Sequence, residues 1–543
     1  MTVGDSMRVL LPSWRDYRAV KRTWRGDLVA GVTVGIVALP LGLAFGVSSG
    51  AGAESGLVTA IIAGIVAAIF GGSNIQVSGP TGAMVVVLGP VVATNGVGVV
   101  ALVSLAAGVV VIVAGVLRLG RVVSYIPWPV IEGFTLGIAV IIFLQQVPSA
   151  IGGTAGASSN AFVAAIESFR SARAGTVVWA IGAVALVAAI MVLAPRIHQK
   201  LPGSLIAIAV VSVITALTGV PLARIGALPS SLPAPAIPNF DPATLGSLAG
   251  PIFTVAALAA IESLLSARVG AALADTGAYD PDRELVGQGL ASVASGFFGG
   301  MPATGAIART AVNVRSGGRT RLSAIIHALV LLGIVTLASG VVSEIPLAAL
   351  AGVLMVTATR MVSLATVRSV LGSTRSDAIV FVVTALITVS VDLIVAVGIG
   401  ITVAAFFALR TLSNSGGVHR EPLPGDTLPG DEHIALFRFE GALFFGAAER
   451  MLEQVTRITS VDVVILRLSQ LQVMDATGAR VITEMIHGLE RRGITVLVKG
   501  IQDRHLQLAT RVGVISSLRH QNHLFDDLGA AIDHGRSHVR IRS

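Results

Sequence analysis

Cysteine is absent from this 543-residue chain, and only 13% of its residues are charged. Without thiols there are no disulfides, no thiolate nucleophile and no cysteine-held metal. The shortage of charge excludes an ordinary soluble globular protein, because 54% of the residues are hydrophobic and the mean hydropathy is +0.84. A glycine-rich nucleotide loop is also missing from the polar C-terminal part, so ATP-driven chemistry has no support and no cofactor is expected. The segment before residue 28 is polar and basic, carries Trp14, Tyr17 and Trp24, and shows no small-residue cleavage site. The first apolar run is therefore expected to be retained as a span.

What the chain does have is apolar runs of roughly 15 to 22 residues, long enough as helices to cross a hydrocarbon core of about 30 Å and too continuous for a membrane barrel. They fall at 28–48, 55–71, 80–93, 98–118, 130–147, 175–194 and 203–219, then, after a Pro-rich connection, at 247–273, 287–299, 304–314, 322–340, 345–359, 378–390 and 393–410. The fold class expected is a polytopic α-helical membrane protein with fourteen segments in two seven-segment halves. The net charge of +8 does not point to nucleic acid, because the basic residues flank apolar runs as topology signals. Arg18, Lys21, Arg22, Arg118, Arg196, Lys200, Arg268, Arg315, Arg360 and Arg410 share one side on this count, and Arg170, Arg173 and Arg224 are exceptions. The expected location is the inner (plasma) membrane, with both termini cytoplasmic and lipid as surroundings. The domains read as a cytoplasmic segment 1–27, a transmembrane domain 28–411, a Gly/Pro-rich linker 412–430 and a small α/β domain 431–543.

In each half the third run is short and follows a Gly/Pro-rich break, GGSNIQVSGPTG at 71–82 and GGMPATGAIART at 299–310. Matched breaks at corresponding positions are the mark of inverted repeats with discontinuous helices and point to a binding site. A helix that starts in mid-membrane leaves its first N–H groups unpaired, and a small anion fits that need. Gly79 and Gly82 would allow close approach, Pro80 would occupy the first helical turn, and Thr81 would offer a hydroxyl; Thr304, Gly305 and Ala306 take the comparable places. A kink serving packing alone is the competing reading of one break; two matched breaks favour a site.

Glu262 stands among about a dozen apolar residues, a costly position for a carboxylate unless it is paired, hydrated or titrating. Ser266 lies one turn further along the same face. Such a carboxylate could carry a proton, or hold sodium together with Ser266. Arg309 could add positive potential or face Glu262 from the rim. Glu132 and Asp392 read as interfacial, and Pro40 lies within the Gly-rich first run.

At these residues the chain resembles the sulfate permease (SulP) family of anion transporters. The likeness is carried by ALPLGLAFG at 38–46, GLVTAIIAGIVAAIFGGSNIQVSGPTGAM at 56–84, IESLLSARV at 261–269 and GGMPATGAIARTAVNVRSGGRTRLS at 299–323, with a C-terminal domain resembling the STAS type. The resemblance implies a core and a gate domain, a homodimer, and an anion held between the third and tenth helices. That would place Pro40, Leu41 and Phe45, Gly79 to Gly82, Glu262 and Ser266, and Thr304 to Arg309 around it. Many members have Gln where this chain has Leu41, and sodium-coupled bicarbonate members have Asp and Thr in place of Glu262 and Ser266. The resemblance to anti-sigma-factor antagonists places Asp475 and Thr477 at a regulatory position, where helix capping is the alternative role. A cytoplasmic partner of this domain is a further expectation.

The function expected is therefore transport, not catalysis: proton-coupled secondary transport of sulfate, bicarbonate or a dicarboxylate. A sodium-coupled bicarbonate symporter, a passive anion channel and a non-transporting scaffold or sensor are the alternatives.

Overall fold

The computed structural model describes residues 10–542 apart from 155–157, 159, 199–200, 239–241, 392, 445–447 and 459. Lys200 and Asp392 therefore lie outside the described residues. Each of the apolar runs overlaps a helix. In the first half these are α1 (Val20–Ser48), α2 (Ala53–Phe70), α3 (Gly82–Asn95), α4 (Val99–Val116), α5 (Trp128–Ala150), α6 (Ala174–Ile197) and α7 (Gly203–Thr218). The second half contributes α8 (Ala249–Leu273), α9 (Pro281–Phe297), α10 (Ile307–Arg315), α11 (Arg321–Ser343), α12 (Leu347–Met361), α13 (Arg375–Ser390) and α14 (Leu393–Ser415). Among the described residues nine helices are long and apolar enough to span a membrane, while α3 and α7 are apolar but shorter. With only nine residues, α10 cannot cross alone.

Helices α1 to α4 pack with α8 to α11, whereas α5 to α7 pack with α12 and α13. Several of these packings recur when each helix is exchanged for the one seven positions away: α4 on α9 becomes α11 on α2, α1 on α11 becomes α8 on α4, and α5 on α13 becomes α12 on α6. This is the internal symmetry that the paired breaks predicted. Between α4 and α9 the backbones touch. A methyl on Gly108 would lie 2.7 Å from the Gly289 carbonyl oxygen, and one on Gly289 would lie 2.6 Å from that of Gly108. Hydrocarbon provides no hydrophobic drive between helices, so such small-residue seams supply the close packing that holds them.

The C-terminal unit is described by itself. Strands β3 (Gly417–Glu421), β4 (Ile434–Leu443), β5 (Val463–Met474), β6 (Thr495–Lys499) and β7 (Leu524–Phe525) form one sheet in that order, with β3 antiparallel to β4 and the rest parallel. Helices α15 (Ala448–Thr456), α16 (Ala476–Arg491) and α17 (Asp503–Val512) contribute buried side chains to one core, and α18 (Leu528–Arg542) contributes to a second. Residues 412–430 differ from the expected linker. Helix α14 continues through Ser415, and Gly417–Glu421 is a strand whose Glu421 accepts hydrogen bonds from Arg438 at 2.6 Å and Arg467 at 3.1 Å. Five residues between glycines and prolines carry too little alternation to read as a strand, and their pairing partners lie in a later segment.

Candidate functional site

The two breaks meet. Ser78–Gly79 (β1) and Thr304–Gly305 (β2) pair antiparallel, Ser78 opposite Gly305 and Gly79 opposite Thr304. The Ala306 N–H extends the ladder to the Val77 carbonyl at 2.8 Å. Helix α3 starts directly after the first strand and α10 after the second. Their N-cap residues, Thr81 and Ala306, give no side-chain cap to the backbone, so the leading N–H groups of both helices have no acceptor from those residues. Pro80 is thereby corrected: it precedes the N-cap in extended chain and is not in the first helical turn. The strand pairing pulls the start of α3 two residues downstream of that position.

Buried polar groups hold the first break in this path. Glu284 of α9 accepts from the Gly72 N–H at 2.8 Å and the Ser73 N–H at 3.0 Å with one oxygen, and from Gln76 and Gln288, each at 2.9 Å, with the other. Asn313 donates to the Ile75 carbonyl at 2.8 Å, and the Thr310 hydroxyl accepts from the Val77 N–H at 3.1 Å. Arg321 donates to the Gly71 carbonyl at 2.7 Å and the Ala68 carbonyl at 3.0 Å. A non-helical stretch inside a membrane protein persists only where its backbone groups are satisfied in this manner. Sequence reading missed Glu284, Gln76, Gln288 and Asn313. The available signal was the density of polar residues in PDRELVGQG and in the otherwise apolar break.

Above this platform the expected residues converge. Thr81 donates its hydroxyl to Glu262 of α8 at 2.7 Å. Arg309, in the first turn of α10 and only 2% exposed, donates through Nη2 to the Pro80 carbonyl at 2.5 Å. Its Nη1 is buried, with no hydrogen-bond partner among the described residues. Arg309 and Glu262 thus flank one backbone turn, close enough to interact electrostatically, with no ion pair between them among the described residues. Gly79 adopts φ +153°, and a side-chain carbon there would lie 2.7 Å from Arg309 Nη1. Phe45 of α1 lies beside Gly82, its Cε1 3.6 Å from where a methyl on that glycine would project, and Ile142 of α5 crowds the same place. Pro40 and Leu41 are buried on the same stretch of α1.

Four expected residues have other neighbours. Ser266 hydrogen-bonds to Thr310 at 3.1 Å and not to Glu262, because its hydroxyl turns toward α10. The Thr304 hydroxyl donates to the Ala259 carbonyl at 3.0 Å, and Gly305 lies against Gln76 and Ser263. Ala306 is buried as the cap of α10. Glu132 accepts from Trp128 at 2.9 Å in an exposed position, away from this group.

A cavity of about 670 Å³ lies between the two helix groups, lined by Val86 and Pro90 of α3, Thr254 of α8, Gln145 of α5 and Thr388 of α13. Val86 is one turn along α3 from Gly82. In the C-terminal unit, Asp475 caps α16 by accepting from the Gly478 N–H at 2.7 Å, while Thr477 is exposed.

The sequence pattern of the sulfate permease family matches residues 24–384, and that of the STAS domain matches 427–531. The chain belongs to the sulfate permease family. YvdB of Bacillus subtilis is 32% identical over 511 residues, 92% of this chain and 96% of that protein. The "Bicarbonate transporter BicA" of a Picosynechococcus species is 31% identical over 488 residues, 84% of this chain and 85% of that protein. The solved transmembrane domain of a cyanobacterial BicA covers 69% of this chain and 98% of its own at 32% identity, with a TM-score of 0.63. The murine anion transporter Slc26a9 shares the fold at a TM-score of 0.84, 16% identity and coverage of 98% and 94%. The family is one of anion transporters of sulfate and bicarbonate type, not of enzymes, with many apolar membrane helices followed by a STAS domain.

Proposed function

We propose that this sulfate permease family member is a proton-coupled secondary transporter of a small oxyanion of the sulfate, bicarbonate or dicarboxylate class. The observation that carries the reading is the unpartnered Nη1 of buried Arg309 beside two uncapped helix starts and the Glu262 carboxylate. The charge balance of that group makes the coupling. With Glu262 ionised, its negative charge offsets Arg309, and the two helix ends, each equivalent to about half a charge, attract an anion only weakly. With Glu262 protonated the site is positive by a full unit more, so proton and anion enter together. The anion would lie against Arg309 Nη1 and the leading N–H groups of α3 and α10, with Pro40, Leu41 and Phe45 closing the apolar side.

Movement of the α1–α4 and α8–α11 group against the α5–α7 and α12–α14 group would expose this site to each side in turn. The cavity between those groups supports the route. The Ser266 hydroxyl is engaged with Thr310, and a single carboxylate takes up a proton with fewer additional ligands than sodium needs, which favours the proton. The homodimer and a regulatory STAS domain belong to the same proposal.

Uptake in proteoliposomes across sulfate, bicarbonate, nitrate and dicarboxylates, with sodium and pH gradients imposed separately, tests it. Uptake should follow the inward proton gradient, and Glu262→Gln should abolish that dependence in a folded protein. Uptake that follows sodium at fixed pH, or a Glu262→Gln variant with unchanged proton dependence, overturns the coupling. A flux that never accumulates against a gradient points to a channel.

A further inference from the structure

The C-terminal unit holds a group of imidazoles that the transport reading does not use. His520 and His523 precede β7, and His534 and His538 lie one turn apart on α18, giving the spacing H-x2-H-x10-H-x3-H. The structure brings them together. Metal-competent nitrogens of His523, His534 and His538 all lie within 4.8 Å of one another. The rings of His523 and His534, and those of His523 and His538, have centroids 5.4 Å apart, and His520 stands at 5.4 Å from His523.

Two features separate this group from a chance cluster of surface histidines. His523 is 1% exposed, and its Nδ1 has no hydrogen-bond partner among the described residues. A buried polar atom left in this state costs free energy that a bound group would relieve. The Nε2 atoms of His534 and His538 are 3.3 Å apart. Two nitrogens on a tetrahedral ion with bonds of about 2.0–2.1 Å are separated by about 3.3 Å, so this pair is already spaced as ligands.

We propose that His523, His534 and His538 bind a divalent transition ion of the zinc, nickel or copper class, with the fourth position taken by His520 or water. Imidazole nitrogens suit these metals, and the absence of oxygen ligands from the trio disfavours calcium and magnesium. The ion would fasten α18 to the chain entering β7, closing the second core on that side of the sheet. Because the three ligands come together only in the folded chain, metal binding would stabilise this fold.

The test uses the full chain in detergent, stripped with a chelator, desalted and given zinc alone. Bound zinc by elemental analysis should reach one per chain, and the melting temperature of the C-terminal unit should rise with zinc. His534→Ala combined with His538→Ala should abolish both, while His487→Ala, an exposed histidine on α16, should change neither. The single His538→Gln variant guards against a misfolded double variant: in chelator it should melt with the wild type, and only its zinc response should be lost. Wild-type protein that holds no more zinc than the double variant, or His538→Gln that responds to zinc as the wild type does, overturns the proposal. Anion uptake is not a readout here, so the outcome is independent of the transport reading.

Discussion

Gly79→Ala separates the geometry of the proposed anion site from the general stability of the bundle. The residue sits in β1 at φ +153°, a region that a side chain disfavours, and its added carbon would lie 2.7 Å from Arg309 Nη1, 3.4 Å from Nη2 and 3.4 Å from the Ala60 Cα. Backbone strain of this kind costs about 1–3 kcal/mol. The contact can be relieved only by moving the guanidinium, since Ala60 and the paired strand are fixed. Moving it breaks the 2.5 Å bond from Nη2 to the Pro80 carbonyl. A hydrogen bond from a charged donor is worth about 1.5–3 kcal/mol.

If Arg309 holds the anion with comparable strength, its displacement raises the KM for uptake by about 10- to 150-fold, because each 1.4 kcal/mol is a factor of ten. The assay is initial-rate anion uptake in proteoliposomes at a fixed pH gradient, with a thermal melt in detergent alongside. Gly98→Ala is the control, because φ there is −59° and a methyl would meet nothing within 4 Å; it should behave as the wild type. A Gly79→Ala protein that melts lower yet keeps the wild-type KM would refute the placement of the anion at Arg309.

Two further predictions concern the C-terminal unit. Asp475→Ala removes the cap of α16 and should destabilise this unit by about 1 kcal/mol in a denaturant melt, whereas Thr477→Val, at an exposed position, should leave it unchanged; the reverse order would show that Asp475 is not the cap. Arg536 holds Asp431 through two hydrogen bonds of 2.8 Å and keeps its carboxyl below the ordinary carboxylate range. The unfolded chain therefore takes up the proton first as pH falls, so the contribution of this pair is complete above the ordinary range and is lost through the lowered value. Arg536→Met should flatten the acid limb of the stability curve of this unit, and an unaltered slope would remove Asp431 as its source.

The helices were legible because each is an apolar run with a charged or Gly/Pro boundary, a signal contained within about 20 residues. The meeting of Thr81, Glu262 and Arg309 was partly legible, since each is a polar residue in an apolar setting and the two breaks share a pattern. What periodicity does not encode is which distant groups pair. The β1–β2 ladder joins positions more than two hundred residues apart, and it moved Pro80 out of the helix to which its type assigns it. Ser266 is one turn from Glu262 along α8, yet a partner on another helix captured its hydroxyl. Glu284 lies at the start of α9, where it resembles an ordinary first-turn acid, and only the folded chain shows it gathering the first break. The histidine spacing was in plain view but carried no weight until α18 brought its two members beside His523.

The pairing of Ser78–Gly79 with Thr304–Gly305 also constrains inheritance. Each strand is two residues long and, among the described residues, its ladder partner comes from the other half, so the backbone of each break leans on the other half inside a membrane. The two halves are thus complements: a change of backbone on one side of the ladder is felt on the other.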